Sequence, residues 1–190
     1  MAKKQVNAMP TALAALAAAG QAKNLTSQIA NMGMIGEVIV TGTAVTSISF
    51  SGLDGNADKG YRLDFEIVNP TGNGRSYKMF YNDDTTTTNY SDKLSTISVS
   101  LAVYPHNDAA VAECEATATA FGSIDINLNS DGLCYAMSRF IRKTGFSNDC
   151  YIQRKNTTIT NLTKIDITAD GAGAIGIGSK FRIYRRGSDE

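Results

Sequence analysis

From Glu37 onward, apolar and polar residues alternate with a period of two. Over 61–68, Tyr61, Leu63, Phe65 and Ile67 fall on one side and Arg62, Asp64 and Glu66 on the other. Over 97–103, Ile97, Val99, Leu101 and Val103 alternate with Ser98, Ser100 and Ala102. Ile124, Ile126 and Leu128 alternate with Asp125 and Asn127, and Ile165 and Ile167 flank Asp166. Such alternation marks strands with one face on a core and the other in water. Further strands are predicted at 38–41, 46–51, 76–81, 112–120, 134–142, 150–155 and 180–185. Turn residues separate them: Asp54-Gly55, Pro70-Thr71-Gly72-Asn73-Gly74, Asn129-Ser130-Asp131-Gly132 and the glycines after Asp170. About ten short strands with no second helical region predict a mainly β chain, an antiparallel β-sandwich of jelly-roll type.

The pattern before Glu37 differs. Residues 1–36 are Ala-rich, carry Lys3, Lys4 and Lys23, and contain no acid. Pro10-Thr11 opens a predicted helix through Leu13, Leu16 and Ala19, which Gly20 ends. A second helical turn sets Leu25, Ile29 and Met32 on one side, with Asn24 as N-cap. Both pieces are too short to be stable alone, so they must dock on something. The apolarity of 9–19 comes from Ala, with Leu13 and Leu16 the strong hydrophobes, so the segment is expected to be mature structure and not a signal peptide. Two parts follow: a helical arm, 1–36, for attachment or oligomerisation, and a sandwich, 37–190, with Gly33-Met34-Ile35-Gly36 as the joint.

Charge and chemistry narrow the function classes. The 190 residues hold 18 basic and 18 acidic side chains, one His, three Cys and no Trp. Zero net charge argues against a dedicated nucleic-acid binder or a polybasic membrane-surface protein. No stretch approaches the run of about 20 apolar residues that spans a bilayer as a helix. One His, His106, excludes zinc sites built on paired histidines; it follows Tyr104-Pro105 and is expected in a solvated turn. Cys114, Cys134 and Cys150 lack CxxC spacing and are expected to be free, mostly buried thiols of a reducing cytoplasm.

Four motifs have plainer explanations. Asp54-x-Asn56-x-Asp58 opens like an EF-hand loop, but Lys59 and Phe65 stand where that loop needs Gly and Glu, so a polar hairpin turn is expected. The GxGxxG letters at Gly171 to Gly176 precede a strand, not a helix, and predict a flexible glycine loop. Asn82-Asp83-Asp84 is expected to be a solvated loop, in which exchanging both acids for Asn costs no more than an ordinary surface change. Arg182, Arg185 and Arg186 suit a solvated tail or an ion pair between subunits. The sequons at Asn24, Asn89, Asn156 and Asn161 matter only on a eukaryotic secretory path.

Two segments carry a resemblance. Tyr61-Arg-Leu-Asp-Phe-Glu-Ile, followed by Tyr77-Lys-Met-Phe-Tyr-Asn82-Asp83-Asp84 and Asn89-Tyr90, resembles strands of small virion proteins of tailed bacteriophages. The end, Gly176-Ile-Gly178-Ser-Lys-Phe-Arg-Ile-Tyr-Arg185, resembles their closing strand. That family includes head decoration proteins, head fibres and tail-associated proteins. The resemblance implies a non-enzymatic structural protein on the virion surface, made in the bacterial cytoplasm, without cofactor or metal. Its implied partners are copies of itself, as a homotrimer, and the phage major capsid protein or tail components. The alternative is a tail-associated or glycan-binding jelly roll that meets a host surface glycan during adsorption. The expected interface residues are Leu13, Leu16, Leu25, Ile29 and Met32 of the arm, and Ala116. Ala116 is included because 112–120, read as one strand, puts Ala112, Cys114, Ala116, Ala118 and Ala120 on one face, where small side chains suit a close subunit contact.

Overall fold

The alternating segments form twelve antiparallel strands among the described residues, which in this computed structural model are 33–97, 101–106, 108–142 and 148–186. They are β1 (Met34–Ile39), β2 (Ser47–Ser51), β3 (Gly60–Asn69), β4 (Arg75–Tyr81), β5 (Tyr90–Ile97) and β6 (Leu101–His106), then β7 (Ala110–Cys114), β8 (Ala118–Leu128), β9 (Cys134–Ile141), β10 (Asn148–Lys155), β11 (Lys164–Ala169) and β12 (Lys180–Arg185). One helical turn, α1 (Gly55–Asp58), and a 3-10 turn, Thr87–Asn89, complete the set. The predicted arm, including Leu13, Leu16, Leu25, Ile29 and Met32, lies outside the described residues.

Two sheets face each other. One has eight strands in the order β1-β12-β3-β8-β9-β10-β5-β6, the other four in the order β2-β11-β4-β7. Leaving aside β5, β6, β9 and β10, the remaining eight strands alternate between sheets at every step but one, β4 to β7, which are neighbours in the smaller sheet, giving β1-β12-β3-β8 opposite β2-β11-β4-β7. That is the jelly roll, two Greek keys wound together. The β5–β6 hairpin is inserted between β4 and β7, and the β9–β10 hairpin between β8 and β11. Their strands pair with one another, β10 against β5, and extend one sheet beyond its partner.

Alternation supplies the core. Leu63, Phe65 and Ile67 of β3, Ile124 and Ile126 of β8, and Phe181 and Ile183 of β12 point inward against Tyr77, Met79, Val111, Ile165 and Ile167 of the smaller sheet. Gly122 lets β8 pass under the Phe65 ring: a Cβ there would come within 2.5 Å of that ring and of the Arg139 carbonyl, and 2.7 Å of the Phe140 Cβ.

Several expectations need correction. The predicted strand 97–103 is a hairpin, because Ile97 and Leu101 are register partners of β5 and β6. Register partners four positions apart share a parity and a face, so the period-two pattern carries on from β5 to β6. The predicted strand 112–120 is two strands in different sheets, β7 and β8, and Thr117 takes a positive φ of 50° at the corner between them. Ala112, Cys114, Ala118 and Ala120 are therefore buried inside the sandwich, and Ala116 sits exposed in the corner turn. The premise of one small-residue face open to another subunit fails. The joint is displaced as well: β1 begins at Met34, and Gly36 packs against Phe50 and Ile183. Asp54 to Asp58 is no hairpin turn but a capped helical turn, with the Asp54 carboxylate accepting from Ala57 N–H at 3.2 Å. His106 is no turn residue; it is the last residue of β6, in register with Asp92.

Candidate functional site

Where the larger sheet outgrows the smaller one, β7 ends the small sheet with an edge that needs covering. The inserted strands cover it with polar side chains. Ser138 of β9 donates to the Val111 carbonyl. The Gln153 amide of β10 donates to the carbonyls of Met79 and Ala109, each at 2.8 Å, and accepts from the Tyr81 hydroxyl at 2.9 Å. Arg142 bridges Glu113 at 2.7 Å and Asp149 at 2.6 Å, and Glu113 also accepts from the Tyr151 hydroxyl at 2.6 Å. Glu113, Cys114, Arg142 and Arg75 line a depression of about 230 Å³. Glu113, Arg142, Asp149 and Tyr151 bond to one another between β7, the end of β9 and β10, and so act as a clamp.

The Asn82-Asp83-Asp84 turn is the second half of this seam, and the solvated-loop expectation is wrong for it. Asn82 and Asp83 take positive φ of 52° and 62°, which short polar side chains tolerate best. The Asn82 side-chain Oδ1 accepts from Thr163 N–H at 2.9 Å and Lys164 N–H at 3.1 Å, tying the turn to the start of β11. Asp83 pairs with Lys164 at the surface. Asp84 pairs with Lys155, whose side chain is only 2% exposed and whose ammonium lies 4.8 Å from the Tyr90 ring centroid. Burial alone would raise the Asp84 carboxyl, but hydrogen bonds from Lys155, Asn89 and Thr86 N–H hold it below its ordinary value. The Tyr90 hydroxyl closes the turn, donating to the Asp84 carbonyl at 2.8 Å. Buried lysine, invisible to a period-two reading because it occupies an inward position of β10, is the residue that sequence reasoning missed.

Next to α1, Asp58 accepts from the Tyr61 hydroxyl at 2.8 Å and pairs with Arg185 at 2.6 Å. Arg182 pairs with Glu37 at 2.6 Å, and Arg186 lies 3.2 Å from Asn127. The C-terminal arginines are thus held within the chain, against the tail or inter-subunit expectation. The Asn89, Asn156 and Asn161 amides likewise bond within the fold. Beside α1, the β8–β9 and β10–β11 loops enclose a groove of about 650 Å³ lined by Asn56, Lys59, Asn129, Asp131, Thr158 and Thr160, among others. The glycine segment precedes a strand, β12, as expected, but it is pinned and not a free loop: Ala174 and Ile175 are buried, and Gly176 N–H donates to Val68 O at 2.7 Å.

The three cysteines are free; Cys114 and Cys134 are buried and Cys150 is half-buried. Burial pushes the Cys114 thiol up to about 11 and that of Cys134 to about 12, which keeps both protonated and unreactive near neutrality. Among the described residues no group of three His, Cys, Asp or Glu could hold a metal ion, and no helix is long and apolar enough to cross a membrane.

No family model matches this chain, and no curated protein matches it. Among solved structures, it is similar to a marine PL-14 alginate lyase from Aplysia kurodai, with 8% identity and a TM-score of 0.32, over 73% of this chain and 79% of that one.

Proposed function

We propose that the chain is a structural virion protein of a tailed bacteriophage, a jelly roll displayed on the particle surface and anchored through its N-terminal arm. The observation that carries the reading is where the motif residues sit. Asp84, Asn89 and Tyr90 lock the turn between β4 and β5 to Lys155 of β10, Asn82 ties it to the start of β11, and the Gly176 to Arg185 segment contains the closing strand β12. The resemblance is therefore carried by residues that hold the fold, as in a protein whose work is to stand rigidly in a lattice. The Glu113, Arg142, Asp149 and Tyr151 cluster is likewise engaged in bonds between strands. Stations on capsid or tail share this requirement, and the partners in either are copies of the chain and the capsid or tail protein beneath it.

Mass spectrometry of gradient-purified particles from the phage that encodes the chain tests this directly. The protein is expected at a stoichiometry of many copies per particle. Its presence in infected cells but absence from the particles would overturn the proposal.

A second reading, a glycan-binding jelly roll used in adsorption, has one observation in its favour. The groove beside α1 has a volume within the range of small-ligand sites and is lined by amides, hydroxyls and a carboxylate. None of its lining side chains is aromatic, so a sugar there would lack ring stacking. Binding of host-surface oligosaccharides that is lost with Asn129→Ala and Asp131→Ala would favour this reading over the first.

A further inference from the structure

Lys155 differs from other paired lysines among the described residues. Lys78 and Lys164 meet Asp108 and Asp83 with a quarter or more of their side chains in water, whereas the Lys155 side chain is 2% exposed. Lys155 is in register with Tyr90, the first residue of β5, and its ammonium lies against the Tyr90 ring, which Phe80 meets edge-on. A primary amine sheltered from water in this way is a nucleophile once it loses its proton. The carboxylate that pairs with it offers a place for that proton. Asp84 Oδ2 touches the Lys155 ammonium and also accepts from the Asn89 side-chain amide at 3.0 Å. Asp84 Oδ1 accepts from the same amide and from Thr86 N–H, each at 3.2 Å. Asn89 is fixed from the β10 side as well, because Asn156 N–H donates to its carbonyl at 2.7 Å. One carboxylate oxygen therefore stands between an amine and a carboxamide.

We propose that Lys155 and Asn89 close an intramolecular isopeptide bond, with Asp84 as the proton carrier between them. The freed Lys155 amine attacks Cγ of Asn89, so that a bond forms between Nζ and Cγ and the bond from Cγ to Nδ2 breaks. Asp84 passes two protons in turn from Nζ to Nδ2, and the leaving nitrogen departs as ammonium with the charge that Lys155 brought. The carboxylate is regenerated, and nothing is oxidised or reduced. Asp84 is within hydrogen-bond reach of both the atom that loses protons and the atom that gains them, which is what acid–base catalysis requires. The fold also holds amine and amide on one oxygen before reaction, so little orientation remains to be won. Asn89, and not Asp84, is the carbon attacked, because Asp84 is held ionised and an ionised carboxylate resists a nucleophile. The same ionisation makes closure slow, since the ion pair must first give way. Freshly folded chain therefore carries the ion pair, and the closed form accumulates with time. Closure exchanges a buried charge for a covalent tie between the start of β5 and the end of β10, and it requires no virion role.

Mass spectrometry of the full chain, with a thermal melt to establish folding, tests the proposal. Folded wild type held for days at mildly alkaline pH is expected to lose about 17 Da, the mass of ammonia. Trypsin does not cut after an acylated lysine, so the digest should contain residues 79–93 joined to 155–164. Asn89→Ala leaves the ion pair in place and Asp84→Ala removes the proton carrier, and both are expected to keep their full mass. Wild type incubated in denaturing urea should also keep its mass, a control that depends on no variant folding. An unchanged mass in folded wild type overturns the proposal. So does a loss of about 18 Da with Asp84 in the link, since water and not ammonia has then left. Ammonia loss that persists in urea, in Asn89→Ala or in Asp84→Ala overturns it as well.

Discussion

At the scale of single residues, the chain places its most expensive group, the Lys155 ammonium, where it has a carboxylate and an aromatic face within reach. A buried charge is tolerated when paired and strongly destabilising when its partner is removed, by about 3–5 kcal/mol for fully buried pairs. Asp84 keeps a quarter of its side chain exposed, so water offsets part of that loss. Asp84→Asn is therefore expected to cost about 2–3 kcal/mol in urea unfolding at neutral pH. Asp83→Asn, which affects only a surface pair with Lys164, should leave the midpoint unchanged. The pH dependence has a definite sign. Because the folded chain holds the Asp84 carboxyl below its ordinary value of 3.8, the stabilisation is complete above that value. It fades as pH falls through the lower folded value. Wild type should thus lose stability in that acid range more steeply than Asp84→Asn, and parallel curves would show that Asp84 carries no such linkage.

At the scale of elements, what could be read in advance was whatever alternation encodes. The strands at 61–68, 76–81, 134–142 and 180–185 appear within a residue or two of their predicted limits, because one apolar face and one wet face leave a period-two record. β5 was not legible, since its inward positions are Tyr90, Asp92 and Leu94, and a buried acid breaks the pattern. β10 was found in part, at 150–155, but its inward Asp149, Gln153 and Lys155 leave no apolar face to mark their burial. The same cause lies behind both misses: these strands face a sheet edge, where buried polar groups are needed to satisfy backbone carbonyls. Gln153 shows the consequence most clearly, since one amide serves Met79, Ala109 and Tyr81. Gln153→Leu nearly conserves volume but takes the side-chain donor from the Met79 carbonyl and the acceptor from the Tyr81 hydroxyl, while the Ala109 carbonyl keeps the Met79 N–H at 2.9 Å, for an expected loss of about 2–3 kcal/mol. Glu at the same position keeps the acceptor for Tyr81 but not the donors, so it should not restore stability. Equilibrium denaturation of both variants checks this, and a Leu variant as stable as wild type would mean that the seam contributes packing alone.

At the scale of the whole molecule, the division between arm and sandwich can be made sharper than composition allowed. The compositional change falls at Glu37, but the packing change falls earlier, because β1 starts at Met34 and its backbone pairs with β12 from Met34 to Ile39. Gly36 marked a joint in the sequence because glycine often ends an element. In the fold it is glycine for a packing reason, since a Cβ there would lie 3.1 Å from both Phe50 and Ile183. Glu37, 145 residues from its partner in the chain, pairs with Arg182 across the β1–β12 ladder. Two truncations separated by a few residues should therefore behave differently. Removing residues 1–32 leaves every strand intact and is expected to give a cooperative melt close to that of the full chain. Removing residues 1–39 deletes β1, exposes the backbone edge of β12 and uncovers Phe50 and Ile183, both buried in the full sandwich. Uncovering two large apolar side chains costs about 1.5–3 kcal/mol for each that becomes fully exposed, and a bare edge strand invites association. The longer deletion should melt several degrees lower and aggregate on heating. Differential scanning calorimetry with light scattering compares them, and equal melts for the two truncations would place the boundary of the folded unit after β1.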